Sequence, residues 1–460
     1  MLPDVPLLEI FHFYTDRDDD DDDIEAWHTL VHVCRKWRLI VFGSPRRLDL
    51  RLLCDDNTPV KNMLDIWPSL PIIIWSSCTD VWSVDDVIAA LEHNDRIRQL
   101  DLECITSPEI EEVLSVMRQP FPALTRLRIC SPAKEFPVIP ASFLGGSAPR
   151  LQILCLKGIP FPGLPQLLLS ATQLVHLDIR GIPHSGSISP DAMVATLSVL
   201  TRLETLVIES IFPDSSQNGN RPDWKRRHPP LLRRTVLPVL VEFALGGVDE
   251  YLEDFVAQID VPLLNKLDIT FFRPTILDIP QLIHFVNRTL KFKPGDNACV
   301  ELSDRGVSIT LPQTPNGRLS LGIGSSSTQP DWQLPSLMQV CRSFFPRTFI
   351  PAVEHLDIVE DGYYHRFSVL RFLDYIGSSQ WLDLLRPFTT VKDLHVTREI
   401  APHIARALQE LVGERVKEVL PALQTLVFEK PEAVQETIGP FIIARQLAGH
   451  PIAISCWEIE

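Results

Sequence analysis

One short pattern of apolar residues recurs along most of this chain and limits the folds that it can adopt. An aliphatic residue is followed three positions later by Leu or Phe, and two positions after that by another apolar residue. Because side chains alternate between the two sides of a strand, each copy predicts a short strand with one buried face. The copies are Ile97-x-x-Leu100-x-Leu102, Leu124-x-x-Leu127-x-Ile129, Leu151-x-x-Leu154-x-Leu156, Leu174-x-x-Leu177-x-Ile179, Leu203-x-x-Leu206-x-Ile208, Leu240-x-x-Phe243-x-Leu245, Leu264-x-x-Leu267-x-Ile269, Val353-x-x-Leu356-x-Ile358, Val391-x-x-Leu394-x-Val396 and Leu423-x-x-Leu426-x-Phe428.

Amphipathic helices are predicted between these strands. Apolar residues recur at helical spacing in residues 83–94, 108–119, 190–200, 280–290, 402–412 and 433–448. Within each run the copies lie roughly 23 to 38 residues apart, which is the range of leucine-rich repeats. We therefore predict an α/β fold, an irregular leucine-rich-repeat solenoid with parallel strands on its concave face and helices outside. A doubly wound α/β sheet is the competing interpretation.

The repeats depart from the leucine-rich-repeat consensus at the turn after each strand. The consensus has Asn or Cys three residues after the last apolar strand residue, where its side chain bonds to free backbone groups. None of these positions carries Asn or Cys here, and the chain contains 39 prolines. Irregular turns are therefore expected. The residues are Ile105, Pro132, Ile159, Ile182, Ile211, Val248, Phe272, Asp361, Glu399 and Pro431.

The first 42 residues follow a different pattern, that of two short helices with apolar faces. Leu7, Ile10, Phe11 and Tyr14 recur at positions i, i+3, i+4 and i+7, which predicts one helix face. A second helix is predicted to carry the stripe Trp27, Leu30, Cys34, Trp37 and Val41. Such small helices need a partner surface, either in the rest of the chain or on another protein.

Residues 1–42 resemble the F-box, a helical module that docks onto the Skp-type adaptor of cullin-RING (SCF-type) ubiquitin ligases. The resemblance rests on the opening Leu2-Pro3, on residues 7–11 and on residues 33–38. It departs from the family in the long acidic stretch 15–23 between the helices. Residues 43–50 and 67–71 look like those of the large F-box families of mushroom-forming fungi (basidiomycetes).

The resemblance implies which residues make or support the adaptor contact. Large apolar side chains dominate such interfaces, so the main contributions are expected from Leu7, Leu8, Phe11 and Trp37. The full set of matching positions is Leu2, Pro3, Leu7, Leu8, Ile10, Phe11, Leu30, Val33, Cys34 and Trp37.

The resemblance, the spacing of the repeats and the interruption between them together predict five segments. An F-box-like module (1–42) and a linker that packs onto the repeats (43–79) precede about seven repeats (80–292). An insertion (293–350) holds two strand-like pieces, 299–302 and 307–311, and a Gly/Ser/Pro-rich stretch, 313–330, that is expected to be flexible. The last repeats and a cap follow (351–460).

The composition limits the functions that the protein can have. A net charge of −16 argues against a nucleic-acid-binding surface. Nine scattered cysteines without a Cys-x-x-Cys pair indicate reduced thiols and neither disulfides nor a zinc site. The N-terminus lacks a secretory signal and no apolar run is long enough to span a membrane, so we expect a cytoplasmic or nuclear protein. No catalytic motif is found, and no enzyme activity, cofactor or metal is predicted.

The sequence therefore favours a non-catalytic substrate receptor of a ubiquitin ligase. Polar residues that alternate with the buried strand residues are expected to bind an unknown target protein through the concave face. They are Asp101, Arg128, Asp178, Arg180, Lys266, Asp268, His355, Asp357 and His395. Two alternatives stay open: a repeat scaffold whose first helices only cap the repeats, with Leu7, Phe11 and Trp37 packed against residues 48–53, and an enzyme with a cleft at residues 295–350.

Overall fold

The computed structural model of the chain describes residues 3–15, 26–45, 48, 50–54, 64, 68–76, 84–103, 107–130, 137–182, 188–210, 234–272, 279–289, 295–303, 306–313, 317–324, 333–344, 352–360, 373, 375–411, 413–429 and 434–456. The chain forms two compact units, Met1–Thr205 and Leu206–Glu460. The five segment boundaries expected from composition stay predictions. The acidic stretch 15–23 lies outside the described residues, apart from the backbone of Thr15.

The first unit combines helices with a parallel sheet. Its strands follow one another in the sheet in the same order as in the chain, β1 to β6, and all neighbouring pairs with a described register are parallel. The elements are α1 (Asp4–Thr15), α2 (Ala26–Val33), α3 (Arg35–Gly43), β1 (Leu52–Cys54), β2 (Ile72–Ser76), α4 (Val84–Leu91), β3 (Ile97–Glu103), α5 (Ser107–Val116), β4 (Arg126–Cys130), β5 (Ile153–Lys157), α6 (Leu164–Ser170), β6 (His176–Ile182) and α7 (Pro190–Leu197).

The second unit begins within a strand and has a mostly parallel sheet with one antiparallel insertion. Its elements are β7 (Thr205–Ser210), β8 (Thr235–Val236), β9 (Glu242–Gly247), α8 (Asp249–Ala257), β10 (Ile259–Asp260), β11 (Lys266–Phe271), α9 (Pro280–Arg288), β12 (Asn297–Ser303), β13 (Gly306–Gln313), β14 (Gly317–Gly324), α10 (Gln333–Phe344), β15 (His355–Glu360), α11 (Ser378–Leu385), β16 (Asp393–Val396), α12 (Ala401–Gln409), β17 (Thr425–Phe428), α13 (Gln435–Leu447) and β18 (Ala453–Cys456). The strand order is β7-β9-β11-β14-β13-β12-β15-β16-β17-β18, and β8 pairs with β10 separately. Strand β13 runs antiparallel to both of its neighbours.

All ten copies of the apolar pattern form strands, as predicted. Burial alternates along β4, β5, β11 and β16, where the pattern residues are buried and the residues between them are at least partly exposed. Helices cover the buried side: the Phe243 ring on β9 lies 5.9 Å from Phe255 on α8 and 6.2 Å from Phe285 on α9. The chain is thus an α/β protein with largely parallel sheets.

The arrangement differs from the competing doubly wound fold. A doubly wound sheet is covered by helices on both faces and reverses its strand order at a switch point. In the first unit the described strands keep the order of the chain, and strands such as β4 and β5 bury only one face fully. Both features are compatible with a repeat architecture.

Three local expectations need correction. The second N-terminal helix is not continuous, because Cys34 is extended (φ −162°, ψ 166°) and separates α2 from α3; its sulfur accepts a hydrogen bond from the Trp37 amide at 3.5 Å. The expected linker contributes two strands, β1 and β2, which pair with each other in parallel.

The third correction concerns the stretch 313–330, which was expected to be flexible. Residues 317–324 form β14, which pairs with β13 on one side and β11 on the other. Leu319, Leu321 and Ile323 alternate along it and are buried, so its Gly and Ser residues hide a strand pattern. The two strand-like pieces predicted just before it are confirmed as β12 and β13.

Candidate functional sites on the N-terminal helices and the polar sheet face

The three N-terminal helices pack into a core that they share with the segment following them. The Phe11 ring lies 4.7 Å from the ring of Trp37, and the Trp27 indole N–H donates to the Arg51 carbonyl oxygen at 3.0 Å. Full burial of a Leu or Phe side chain contributes roughly 1.5–3 kcal/mol, so this core attaches the helices to their own chain. Its buried members are Leu7, Phe11, Trp27, Leu30, Val31, Val41, Leu48, Leu50, Leu52 and Leu70.

The residues predicted to contact the adaptor fall into three groups. Leu7, Phe11 and Leu30 are buried in the shared core, and a partner cannot touch them unless the helices separate from residues 48–52. Leu8 and Trp37 are half-buried against this core. Exposed to solvent are Pro3, Ile10, Val33 and Cys34, whereas Leu2 lies outside the described residues.

Three apolar side chains on α1 face solvent, and one of them, Ile10, belongs to the predicted set. Ile10 is 52% exposed, Phe13 86% and Tyr14 38%. The spacing i, i+3, i+4 makes these three residues neighbours on one helix face, which we call the α1 strip. The predicted stripe had placed Ile10 and Tyr14 with Leu7 and Phe11, and it had missed Phe13. Helix α1 is oriented so that Leu7 and Phe11 are buried in the shared core.

The polar face of the first unit carries alternating charges on neighbouring strands. Asp101 on β3, with only 8% of its surface exposed, lies 3.8 Å from Arg126 and 3.9 Å from Arg128 on β4. Arg128 also contacts Glu103 at 3.2 Å. These pairs give the face a mixed charge that is largely neutralised from within.

Three potential metal ligands converge farther along the same face. Cys155 on β5 stands opposite Asp178 on β6, and His176 stands two residues before Asp178 on the same side of β6. One ligand atom from each of the three lies within 4.8 Å of the other two. Burial, followed by the charge of Asp178, raises the pKa of the Cys155 thiol to about 11, so the thiol is protonated at neutral pH.

The polar face of the second unit carries pairs of imidazole and carboxylate groups. His355 Nδ1 on β15 lies 2.9 Å from Asp393 Oδ2 on β16, directly opposite in the register. Two residues further along both strands, His395 Nδ1 lies 3.4 Å from Asp357 Oδ1. Each imidazole therefore faces a carboxylate on the adjacent strand.

Two groups on this face have raised pKa values. Burial raises the pKa of the Cys299 thiol to about 11, with further contributions from Asp357 and Glu301. Burial also raises the pKa of Asp357, although His395 and His355 act in the opposite direction. Both shifts arise chiefly because the sheet removes water from these side chains.

The structure places all nine predicted target-binding residues on strands. The first unit brings Asp101 close to Arg128 and joins Asp178 to Arg180 at 2.9 Å. The second unit brings His355, Asp357 and His395 onto adjacent strands, while Lys266 and Asp268 lie on β11, where Lys266 pairs with Glu242.

No local spacing in the sequence indicates that Cys155 and His176 lie close together, because the two residues are on different strands. A signal was present. His-Leu-Asp-Ile occurs twice, at 176–179 and 355–358, each time within the apolar strand pattern.

Comparisons with known proteins identify no family. No protein-family model matches the chain, and no curated protein matches it significantly. Among the residues that the structure describes, no helix combines the length and apolar character needed to cross a membrane.

Proposed function

We propose that this protein is a non-catalytic substrate receptor of a cullin-RING ubiquitin ligase. Helices α1–α3 bind the Skp-type adaptor, and the polar sheet faces bind a target protein. The observation that carries the proposal is the α1 strip, three neighbouring apolar side chains held exposed on a helix whose other side is firmly packed.

The adaptor contact follows the mode in which an amphipathic helix lays apolar side chains into a groove. Phe13 is the natural anchor, since it is the most exposed of the strip, and large aromatic side chains dominate interface energies. Leu7 and Phe11 support the contact indirectly by fixing α1 against Trp37 and residues 48–52. This assignment moves the main contributions from the buried residues to the exposed ones.

Target recognition uses the polar sheet faces. Their mixed charges, such as Arg180 beside Asp178 and Lys266 beside Glu242, suit a polar protein surface. Charges of this kind select partners and steer encounters more than they add affinity. The receptor performs no bond chemistry; it raises the local concentration of the target near a ubiquitin-loaded enzyme.

The test is co-purification of the full chain with the adaptor, beside the double variant Ile10→Ser/Phe13→Ser. Each lost anchor is expected to cost about 2 kcal/mol or more, so capture at micromolar concentrations should be lost. The matched control is Leu169→Ser, which replaces an apolar residue that is 50% exposed on α6. The control should bind like the wild type, and all three proteins should unfold at similar temperatures. Equal capture of the double variant, or no capture of the wild type, would overturn the proposal.

A second candidate is a repeat scaffold without a ligase role, in which α1–α3 only cap the first strands. The burial of Leu7 and Phe11 with Leu48, Leu50 and Leu52 favours it, because this packing is what a cap requires. It predicts that the wild type fails to capture the adaptor, and that Ile10→Ser/Phe13→Ser changes nothing beyond solubility.

A further inference from the structure

We propose that Cys155, His176 and Asp178 bind a divalent transition-metal ion of the zinc type on the polar face of the first unit. Their ligand atoms already lie within 4.8 Å of one another, and all three side chains are half-buried on the side of the sheet away from the helices. The site is independent of the adaptor contact, which involves only the N-terminal helices.

The sheet holds the three residues in place for this role. Cys155 is in register with Asp178, and Leu154 and Leu156 on either side of it are buried in the apolar layer with Leu177. The backbone is therefore held by the strand ladder and by the core. Tetrahedral zinc ligands lie roughly 3.3–3.8 Å apart, given bonds of about 2.0–2.3 Å. Because no two of the three ligand atoms are more than 4.8 Å apart, closing the site requires a shortening of at most about 1.5 Å per pair, which we assign to side-chain rotation.

The donor set selects the metal. A thiolate and an imidazole are ligands of zinc and related ions, whereas Ca²⁺ and Mg²⁺ prefer oxygen ligands throughout. Three protein ligands leave the fourth tetrahedral position open. Since the cluster lies on the partly exposed face, water or a side chain of a bound protein takes that position.

The charges around the cluster are compatible with a cation. Metal binding displaces the Cys155 thiol proton to solvent, and the resulting thiolate and the Asp178 carboxylate together balance a divalent ion. Arg180 lies 2.9 Å from Asp178 and orients its carboxylate, as groups around metal ligands commonly do. Arg128, opposite Cys155 on β4, is itself paired with Glu103 at 3.2 Å and Asp101 at 3.9 Å, so its charge is largely neutralised.

The experiment titrates the metal-free full chain with Zn²⁺ in competition with a chromogenic chelator, and then with Co²⁺, whose thiolate charge-transfer absorption reports a bound sulfur. The variants Cys155→Ser, His176→Ala and Asp178→Asn are measured in parallel. The matched control is Cys299→Ser, because Cys299 also stands opposite an aspartate, Asp357, in parallel register. Thermal unfolding of each metal-free variant verifies that the fold is kept.

We expect one Zn²⁺ per wild-type chain at micromolar affinity or better, and a Co²⁺ charge-transfer band. Each of the three variants should weaken binding by at least about tenfold, since even the loss of an outer contact costs that much. Cys155→Ser should also abolish the band, while Cys299→Ser keeps it. No zinc binding by the wild type, unchanged binding by Cys155→Ser, or loss of the band in Cys299→Ser would overturn the assignment.

Discussion

In each unit a cysteine stands opposite the aspartate of a His-x-Asp strand. Among the described residues, the three side chains form a cluster only in the first unit. In the first unit Cys155 faces Asp178, and His176 stands two residues earlier. In the second unit Cys299 faces Asp357, and His355 stands two residues earlier. Among the described residues, only the first trio brings its ligand atoms within 4.8 Å of one another.

The strand that follows the second trio explains the difference. Strand β16 places Asp393 opposite His355 and His395 opposite Asp357, and both imidazoles turn toward these carboxylates. At the equivalent positions of the apolar pattern, the copy after the first trio has Thr205 and Val207, neither of which carries a charge. In the second unit the next strand thus engages the imidazole and the carboxylate in pairs, whereas in the first unit the same three residue types converge.

The largest expected effect is the creation of a second metal site. The variant Asp393→Thr/His395→Val introduces the residues found at the equivalent positions after the first trio. It removes the partners of His355 and Asp357, so that both side chains can turn toward Cys299. Zinc stoichiometry should rise from one to two per chain, with an affinity gain at the second trio on the order of 10³-fold, or about 4 kcal/mol. Thr and Val are well tolerated in strands, so the sheet should be kept.

Competition titration measures this result, and Cys299→Ser in the same background serves as its control by removing the second zinc. A stoichiometry that stays at one would show that the pairs with β16 are not what separates the second trio. The difference between the two units would then need another explanation.

The next effect concerns the antiparallel strands of the second unit. Gly306 begins β13 with φ +159°, and a Cβ atom there would lie 2.1 Å from the carbonyl oxygen of Ile323 on β14. Gly306→Ala must therefore push the two strands apart. We expect a loss of about 2–3 kcal/mol in the free energy of unfolding, measured by denaturant titration.

Gly377→Ala is the matched control in the same unit. Its φ of −74° and ψ of 156° suit any residue, and the nearest atom to an added Cβ is 4.0 Å away. Because Gly377 is the N-cap of α11, where Ala is less favourable than Gly, this control should lose at most about 1 kcal/mol, clearly less than Gly306→Ala. Equal losses of stability in both variants would show that β13 and β14 pack less closely at Gly306 than described.

The smallest effect tests the charge of Asp357. Because burial raises its pKa in the folded protein, the folded state holds the proton more tightly than the unfolded state does. Stability therefore falls as the pH rises from the unfolded-state pKa through the folded-state pKa, and the ionised carboxylate is unfavourable at pH 7. Asp357→Asn should raise the melting temperature at pH 7 by at most about 2 °C.

The same variant should show no gain at a pH below both pKa values, where wild-type Asp357 is already neutral. Asp296→Asn, which changes an exposed acid of the same unit, is the control and should have no effect at either pH. A clear loss of stability in Asp357→Asn at pH 7 would mean that its pairing with His395 outweighs its burial.

Much of the fold was predictable from local patterns. All ten copies of the apolar pattern became strands, and helices formed in the six segments with helical periodicity, because burial of one face requires only the right spacing. Strand β14 escaped prediction, since its glycines and serines mask the alternating Leu319, Leu321 and Ile323. The break at Cys34 escaped too, because an apolar stripe continues across it.

The candidate sites were less predictable. The N-terminal residues were named correctly as a helical group, but which of them face solvent depended on the packing of Leu7 and Phe11 against residues far along the chain. The meeting of Cys155 with His176 and Asp178 joins two strands that are separated by a helix, so no local spacing indicates it.

The sequence by itself determined which residues form strands and which side of each strand is buried, because alternation and apolar character act within a few residues. It thereby also determined that polar side chains would line the opposite face. The tertiary structure alone decided how those side chains group. In parallel sheets each polar residue has neighbours on two other strands, and the choice between them fixes whether His176 and Asp178 gather around Cys155 or, as with His355 and Asp357, turn to the next strand.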